Sequence, residues 1–420
     1  MKPSSILFVE ASTTGAGEVA CAYAHSKGLH VTLLSSEPRR YGQTIRQHCD
    51  HIVSVDTTSI SALRAFANAY ASTHRVIATT TTSDFHVVQA AALAKYLKLP
   101  GNPPQVVQTL KNKFKMRQAI DQIAPELNPT YRQATAFRDA HAFAQDTGFP
   151  IVAKPLTGND SVHIRRLHNS KELQRYFDRR KHWGLDASGQ AFAKGVLLEE
   201  VIDGPEYCID FLKAQDGPLT SIGSFTKAIE GEERGYFIKI GATYPAPQAA
   251  HQQLLNAIAP IIAQLGFEVG AVNVDCRIRD GQVKILEINP RLVGDQMGSH
   301  MIEIATGQNP ARAIVDLACG QALDWTPSRQ RAVAIHRIVM PAAGRFKGIT
   351  NLPQLAGIGH VSAVNQLAPL NSWVGVADSN QGVIGSVIVS HESACKATNL
   401  AKAIAARACV SVDTQPNKEA

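Results

Sequence analysis

The chain has 420 residues, 45% of them apolar and 18% charged, which makes two or three globular domains and excludes a largely disordered protein. Its 42 basic and 35 acidic residues leave a formal charge of +7, a mild bias compatible with nucleic acid or with a small anionic substrate. The cations are scattered and do not interleave with the aromatics, which argues against a single-strand nucleic-acid binder.

Ile6 to Val9 reads as a short buried strand, Thr13 to Gly17 as a turn, and the segment through Ala20, Ala22 and Ala24 as a helix. Val31 to Leu34, Ile52 to Val55 and Val76 to Thr79 continue as strands, with a helix near Leu63 to Tyr70. Strands alternating with helices predict a parallel sheet with right-handed crossovers. Pro100 to Pro104 punctuate the chain there. A cation-rich helix holding Lys111 to Arg117 is expected next, then a loop at Pro125 and Pro129, an amphipathic helix ending at Gly148 and the strand Ile151 to Lys154. A helix through Leu173 to Phe177 precedes strands at Val196 to Val201 and Glu206 to Leu212. A hairpin around Gly231, a helix from Gln252 to Leu265 and the strands Ala271 to Ile278 and Val283 to Ile288 follow. The C-terminal stretch reads as short strands and glycine turns, a helix from Ala394 to Arg407, and a frayed tail from Asp413.

The cysteines, at 21, 49, 208, 276, 319, 395 and 409, include no CxxC pair, so neither a zinc site nor a disulfide framework is expected. No apolar run reaches the roughly 20 residues of a membrane span, and the N-terminal apolar run is too short for a secretory leader. A cytoplasmic protein with reduced thiols and no membrane partner is the expectation.

The sharpest constellation is Asp275, Glu287 and Asn289, with Arg291 just beyond, in VNVDCRIRDGQVKILEINPR. Period-two geometry puts Glu287 and Asn289 on one strand face, and Arg291 with them if the strand persists past Pro290. Asp275 joins that face only if it pairs with Glu287. A plain two-residue Asp280-Gly281 loop would pair it with Leu286, so an odd-length loop or a bulge is expected. Two carboxylates and an amide oxygen suit magnesium, and an arginine beside them adds a forked cation for phosphoryl oxygens. Ordinary surface charges would not explain Glu287 inside the apolar run Lys-Ile-Leu-Glu-Ile-Asn-Pro, where an unpaired carboxylate costs several kcal/mol.

Lys154 ends an apolar strand before the small-residue turn Thr157 to Ser161, a place where an ammonium and backbone N–H groups can meet one phosphate. Lys113 stands in KNKFKMR, where Lys111, Lys115 and Arg117 could form a solvated face. Glu199 and Glu206, either side of a Gly-Pro turn, cannot share one regular strand.

Together the segments 109–117, 149–163, 196–212 and 271–295 resemble the ATP-grasp ligases, nearest the carboxylate–amine branch that includes bacterial L-amino-acid (dipeptide) ligases. The resemblance implies an α/β (α+β) ATP-grasp fold with four parts. These are a parallel-sheet, Rossmann-like pre-ATP-grasp domain at 1–108, a linker helix and lid at 109–198, an antiparallel-sheet core at 199–330, and a C-terminal subdomain at 331–420. It implies Lys113 and Lys154 as the lysines on the ATP phosphates, with Ser161 in the lid loop. It assigns Glu199 and the backbone of Val201 and Ile202 to the adenine hinge and Glu206 to the ribose. Asp275, Glu287 and Asn289 become ligands of magnesium, with manganese possible, Arg291 the arginine on the transferred phosphate, and Gly294 part of the substrate carboxylate site. The implied activity is ADP-forming amide or peptide bond synthesis through an acyl phosphate, in natural-product or specialised metabolism and in a homodimer. The sequence departs from that pattern at Lys239 and Ala242, where an acid and a histidine are common. A lysine at 239 implies that one substrate is anionic. A biotin-carboxylase-like reaction is the nearest alternative. An NAD(P) oxidoreductase, suggested by Thr14-Gly15-Ala16-Gly17-Glu18, is more distant because the third glycine of that fingerprint is missing.

Overall fold

The computed structural model describes residues 2–414. Its N-terminal sheet is parallel, in the order His51–Ser54, His30–Ser35, Ser4–Val9, Arg75–Thr80. Ile6, Leu7, Phe8 and Val9 are all buried because alanine-rich helices, Ala16–Ser26 and Val87–Leu97 among them, cover the strands. This is the helix-covered parallel unit that the alternating pattern predicts.

The single cation-rich helix expected next is instead two helices, Pro104–Lys111 and Lys113–Asp121. Asn112 breaks the run because its side chain caps the second helix, accepting from the Phe114 and Lys115 amides at 3.1 Å. Lys113 thereby sits in a first helical turn and points inward.

A second, antiparallel sheet runs Tyr131–Ala134, Val196–Glu200, Ile151–Pro155, Arg165–Leu167. Helices Phe137–Thr147 and Ser170–Arg180 back it through Phe143, Leu173 and Phe177. The central sheet has eight antiparallel strands, in the order Gln282–Asn289, Gly270–Arg279, Glu206–Lys213, Leu219–Glu230, Ile238–Tyr244, Ala332–Val339, Val383–His391, Val361–Gln366. Its last three strands come from the 331–420 segment, whose other strands, Gly344–Ile349, Trp373–Val374 and Val410–Asp413, form a small sheet. Asp413 therefore ends a strand rather than beginning a tail, because Arg345 pairs with it; the rest of the expected tail, 415–420, lies outside the described residues.

Alternation along the central strands sorts the side chains. Val272, Val274 and Cys276 pack with Phe211 under Leu254, Ile258 and Ile261 of helix Gln248–Gln264. Asn273, Asp275 and Arg277 fall on the opposite face, which lines a large cavity. All seven cysteines are free, and among the described residues no helix is long and apolar enough to cross a membrane.

Candidate active site

One cavity of about 550 Å³ lies between the N-terminal sheet, the second sheet and the polar face of the central sheet. Every candidate residue lines it: Lys113, Lys154, Ser161, Glu199, Val201, Ile202, Glu206, Lys239, Asp275, Glu287, Asn289, Arg291 and Gly294.

The hairpin that carries the carboxylates closes through Asp280-Gly281, with Arg279 paired to Gln282. That register alone would set Asp275 against Leu286. A bulge between Asp275 and Cys276 shifts it by one, so that Asp275 faces Glu287 and Asn273 faces Asn289. The expected bulge is present, and it turns Glu287 and Asn289 onto the cavity face while Ile285 and Ile288 stay in the core. Like charges directly opposite destabilise a sheet, and each is countered from another element. Lys227 Nζ lies 2.6 Å from Asp275 and Lys113 Nζ 2.9 Å from Glu287. Burial alone would raise the Glu287 pKa, but Lys113 and Lys111 together outweigh it and hold the carboxyl below its ordinary value.

The strand ends at Asn289, so Arg291 does not continue its face by alternation; a turn closed by the Arg291 amide on the Asn289 carbonyl, 2.8 Å, brings it to the cavity. There Arg291 Nε meets Asp84 at 3.0 Å, and Asp84 also takes Lys111 at 3.0 Å. Asp84, from the N-terminal domain, thus anchors the arginine.

Arg117 does not belong to a solvated face. It is 0% exposed and donates to Glu199 at 2.8 Å, to the Ile285 and Leu286 carbonyls at 2.7 and 2.9 Å and to Asn128 at 3.2 Å. Lys154 Nζ holds the other Glu199 oxygen at 2.6 Å. Burial would raise the Glu199 pKa; the two cations outweigh it and hold it low. Burial lowers the Lys154 pKa, and Glu199 opposes that shift. The Glu199 carboxylate is therefore the counter-ion that lets two cations exist inside the protein, and it ties the second sheet to the carboxylate hairpin.

Glu199 and Glu206 stand on strands of different sheets, Val196–Glu200 and Glu206–Lys213. The Gly-Pro link between them works because Gly204 has φ +105° and a Cβ there would collide with the Ile278 carbonyl. Glu206 is gripped by Arg277, with Nη2 at 3.1 Å, and lies 3.6 Å from Lys227. Lys227 bridges Glu206 and Asp275; burial works against its charge, but the surrounding acids push its pKa up.

The loop after Lys154 has Gly158, Asp160, Ser161 and His163 at positive φ. Three of these are not glycine, so strain of about 1–3 kcal/mol per residue is held in it. Lys113 Nζ donates to the Gly158 carbonyl at 3.0 Å, and the Asn380 amide donates to Asp160 at 3.2 Å. The glycine turn at 13–17 packs close to Ser299, whose Oγ a side chain at Gly15 would meet at 3.0 Å.

Lys239 reaches the cavity through a second bulge. Lys227 pairs with Ala242 and Ala228 with Gly241, but Ile229 pairs with Lys239, so Lys239 and Ala242 share a face that a regular strand would deny them. Its ammonium lies 3.0 Å from Asp295, which Arg337 also pairs with.

Sequence reasoning missed Asp84, Arg117, Lys227, Asp295 and Arg337. Only Arg117 carried a signal: it stands one helical turn from Lys113, on the side of Met116 and Ile120. The others gain meaning through long-range pairing.

The donor set fits a hard divalent cation. Asp275 and Glu287 are cross-strand neighbours, and Asn289 follows on the same face. Among the described residues no cluster of three or more His, Cys, Asp or Glu side chains is arranged as a metal site. A cation here would rest on two carboxylates, an amide and oxygens of a bound substrate, which suits magnesium.

Residues 147–300 match the family model of the ATP-grasp domain. An uncharacterized protein of Sinorhizobium fredii, y4rH, is 22% identical over 369 residues, spanning 87% of this chain and 73% of its own length. The carbamoyl phosphate synthase large chain of Vibrio vulnificus is 24% identical over 289 residues, 65% of this chain, which spans only 25% of that protein's length. Among solved structures, the L-amino acid ligase of Bacillus licheniformis aligns with a TM-score of 0.81 at 18% identity, over 99% of this chain and 100% of the other. N5-carboxyaminoimidazole synthetase of Staphylococcus aureus, complexed with ADP, gives a TM-score of 0.74 at 14% identity, over 96% and 98%. The fold likeness runs the length of the chain and the family match lies at its centre: this chain carries an ATP-grasp domain within the ATP-grasp fold.

Proposed function

We propose that the protein is an ATP-dependent, ADP-forming ligase that joins a carboxylate to an amine through an acyl phosphate, giving an amide or a dipeptide. The observation that carries this reading is the bulged hairpin, which sets Asp275, Glu287 and Asn289 in one cavity with Lys113, Lys154 and Arg291. Phosphoryl transfer needs little covalent help from a protein; it needs positioning and neutralisation of developing charge. Lys113 and Lys154 would hold the nucleotide phosphates, the backbone of Val201 and Ile202 the adenine, with the Glu199 side chain engaged by Arg117 and Lys154 instead, and Glu206 the ribose. Asp275, Glu287 and Asn289 would hold magnesium, which screens phosphoryl oxygens when bound. Arg291, steadied by Asp84, would face the transferred phosphoryl group and Gly294 the substrate carboxylate.

In the first step a substrate carboxylate oxygen attacks the γ-phosphorus, the bond to the β–γ bridging oxygen breaks, and ADP leaves. In the second the amine nitrogen attacks the acyl carbon, phosphate leaves, and the amine loses a proton to solvent. The strained 157–164 loop, tied to Lys113 and Asn380, would exclude water from the acyl phosphate.

Hydroxylamine tests this without knowledge of the amine. With Mg-ATP and a panel of carboxylates it should trap the acyl phosphate as a hydroxamate, one per ADP. AMP and pyrophosphate in place of ADP would refute the mechanism. ADP formed with bicarbonate alone would favour the carboxylase alternative.

A further inference from the structure

Lys239 and Arg337, on the neighbouring strands Ile238–Tyr244 and Ala332–Val339, converge on a single oxygen, Oδ2 of Asp295. The three side chains line the same cavity as the hairpin carboxylates. The partners are unequal. The side chains of Lys239 and Arg337 are 15% and 4% exposed, whereas that of Asp295 is 39% exposed. The cations project from sheet strands, one of them turned inward by a bulge. Asp295 sits on the loop after Arg291 at φ 60°, in the left-handed region that is uncommon and mildly strained for a residue other than glycine. The charges are unequal too: two cations share the Asp295 carboxylate, Asp160 of the 157–164 loop acts on Arg337 from further off, and the nearby Asp275 is committed to Lys227 at 2.6 Å. Burial, with Arg337 and Lys227 added to it, pushes the Lys239 pKa well down, and burial lowers that of Arg337 to about 10. The cations are the fixed, desolvated half of this cluster, and the carboxylate is its strained and exposed half.

We infer that Asp295 is a built-in stand-in for an anionic group of the substrate. A carboxylate or phosphonate, carried in addition to the reacting group, would bind Lys239 and Arg337 and release Asp295 from its strained position. The substrate class is then a dicarboxylate, or an amino acid with a second acidic group. This rests on the ligase reading only in taking the cavity as the substrate site.

The test is calorimetric titration of the full chain with succinate, tricarballylate and phosphonoacetate, with acetate as the single-charge control, with and without a non-hydrolysable Mg-ATP analogue. Asp295→Asn keeps the volume and removes the competing charge, so at least one polyanion should bind about tenfold tighter than to wild type. Lys239→Met should weaken the same probe about tenfold, and acetate should respond to neither change. Equal or weaker polyanion binding by Asp295→Asn, no polyanion binding to that variant, or an equal gain for acetate would each overturn the inference. Nucleotide affinity measured alongside reports folding and separates the two readings: loss of nucleotide binding in the wild type refutes the ATP site, while the anion titrations still read.

Discussion

Replacing Glu199 by glutamine removes one charge from a buried triad and leaves its shape. Arg117, Glu199 and Lys154 are all nearly solvent-free, and the carboxylate touches the two cations at 2.8 and 2.6 Å. Breaking a buried ion pair by removing one partner costs about 3–5 kcal/mol, because the remaining charge is left uncompensated. Here one carboxylate answers two cations, which argues for the top of that range; Lys154 lines the cavity and can recruit water, which argues for less. A loss of about 4 kcal/mol corresponds to roughly a thousandfold rise in the opening constant of the sheet that Glu199 ties down. Native-state hydrogen exchange of Ile151–Pro155 and Val196–Glu200 reads this without assuming that so large a chain unfolds in one step. The exposed pair Arg132–Asp146, at 3.2 Å in the same region, is the control: Asp146→Asn should change protection by no more than a few-fold. The pH dependence has a defined sign. The Glu199 carboxyl is held below its ordinary 4.5, so its contribution is complete above that pH and is lost as pH falls through the folded-state value. Glu199→Gln should abolish that acid sensitivity. Protection within threefold of wild type would refute the electrostatic account of the triad.

Arg291→Met should lower the turnover rate about 10²–10³-fold with ATP affinity little changed, if the arginine acts mainly on the transferred phosphoryl group; an equal fall in ATP affinity would place its role in binding. Asp210 is buried, accepts from the Val293 amide at 2.9 Å and Asn273 at 3.2 Å, and has its pKa raised from 3.8 to about 7, chiefly by burial. A raised acid stabilises the fold at low pH and loses that contribution as pH rises through about 7, so Asp210→Asn should flatten the melting temperature across that window; an unchanged pH slope would count against it. Gly204→Ala should cost more than about 1 kcal/mol and loosen nucleotide binding, because the positive φ and the Ile278 carbonyl both exclude a Cβ; a neutral effect by thermal melt would contradict that reading. Asp275→Asn should weaken magnesium dependence while leaving Lys227 without its closest counter-ion, so it should also destabilise; a purely kinetic effect would mean that Glu206, 3.6 Å away, is counter-ion enough for Lys227.

Local information carried much of this architecture. The alternating strands and helices before Pro100 fix a parallel sheet, and the apolar run around Glu287 marks a carboxylate with a task. The bulge followed from arithmetic: a two-residue loop and a shared metal face are incompatible without it. The cationic run at 111–117 was harder, because periodicity does not show that Asn112 caps a new helix and so turns Lys113 and Arg117 inward together. Asp84 and Lys227 were silent, since each matters only through a partner far away in the chain, Arg291 and Asp275. Lys239 was legible as a departure from the pattern of the ligases that the sequence resembles, yet its neutralisation by Asp295 depends on a loop conformation and a strand bulge that periodicity does not show.

On the proposed function, this cavity couples ADP formation to the joining of two small molecules. ADP and phosphate release from Mg-ATP, measured over a grid of carboxylates and amines that includes dicarboxylates and phosphonates, tests it most directly. ADP and phosphate should appear in equal amounts, with full turnover only when a particular acid and amine are both present. AMP with pyrophosphate, or ADP release indifferent to every acid and amine, would contradict it.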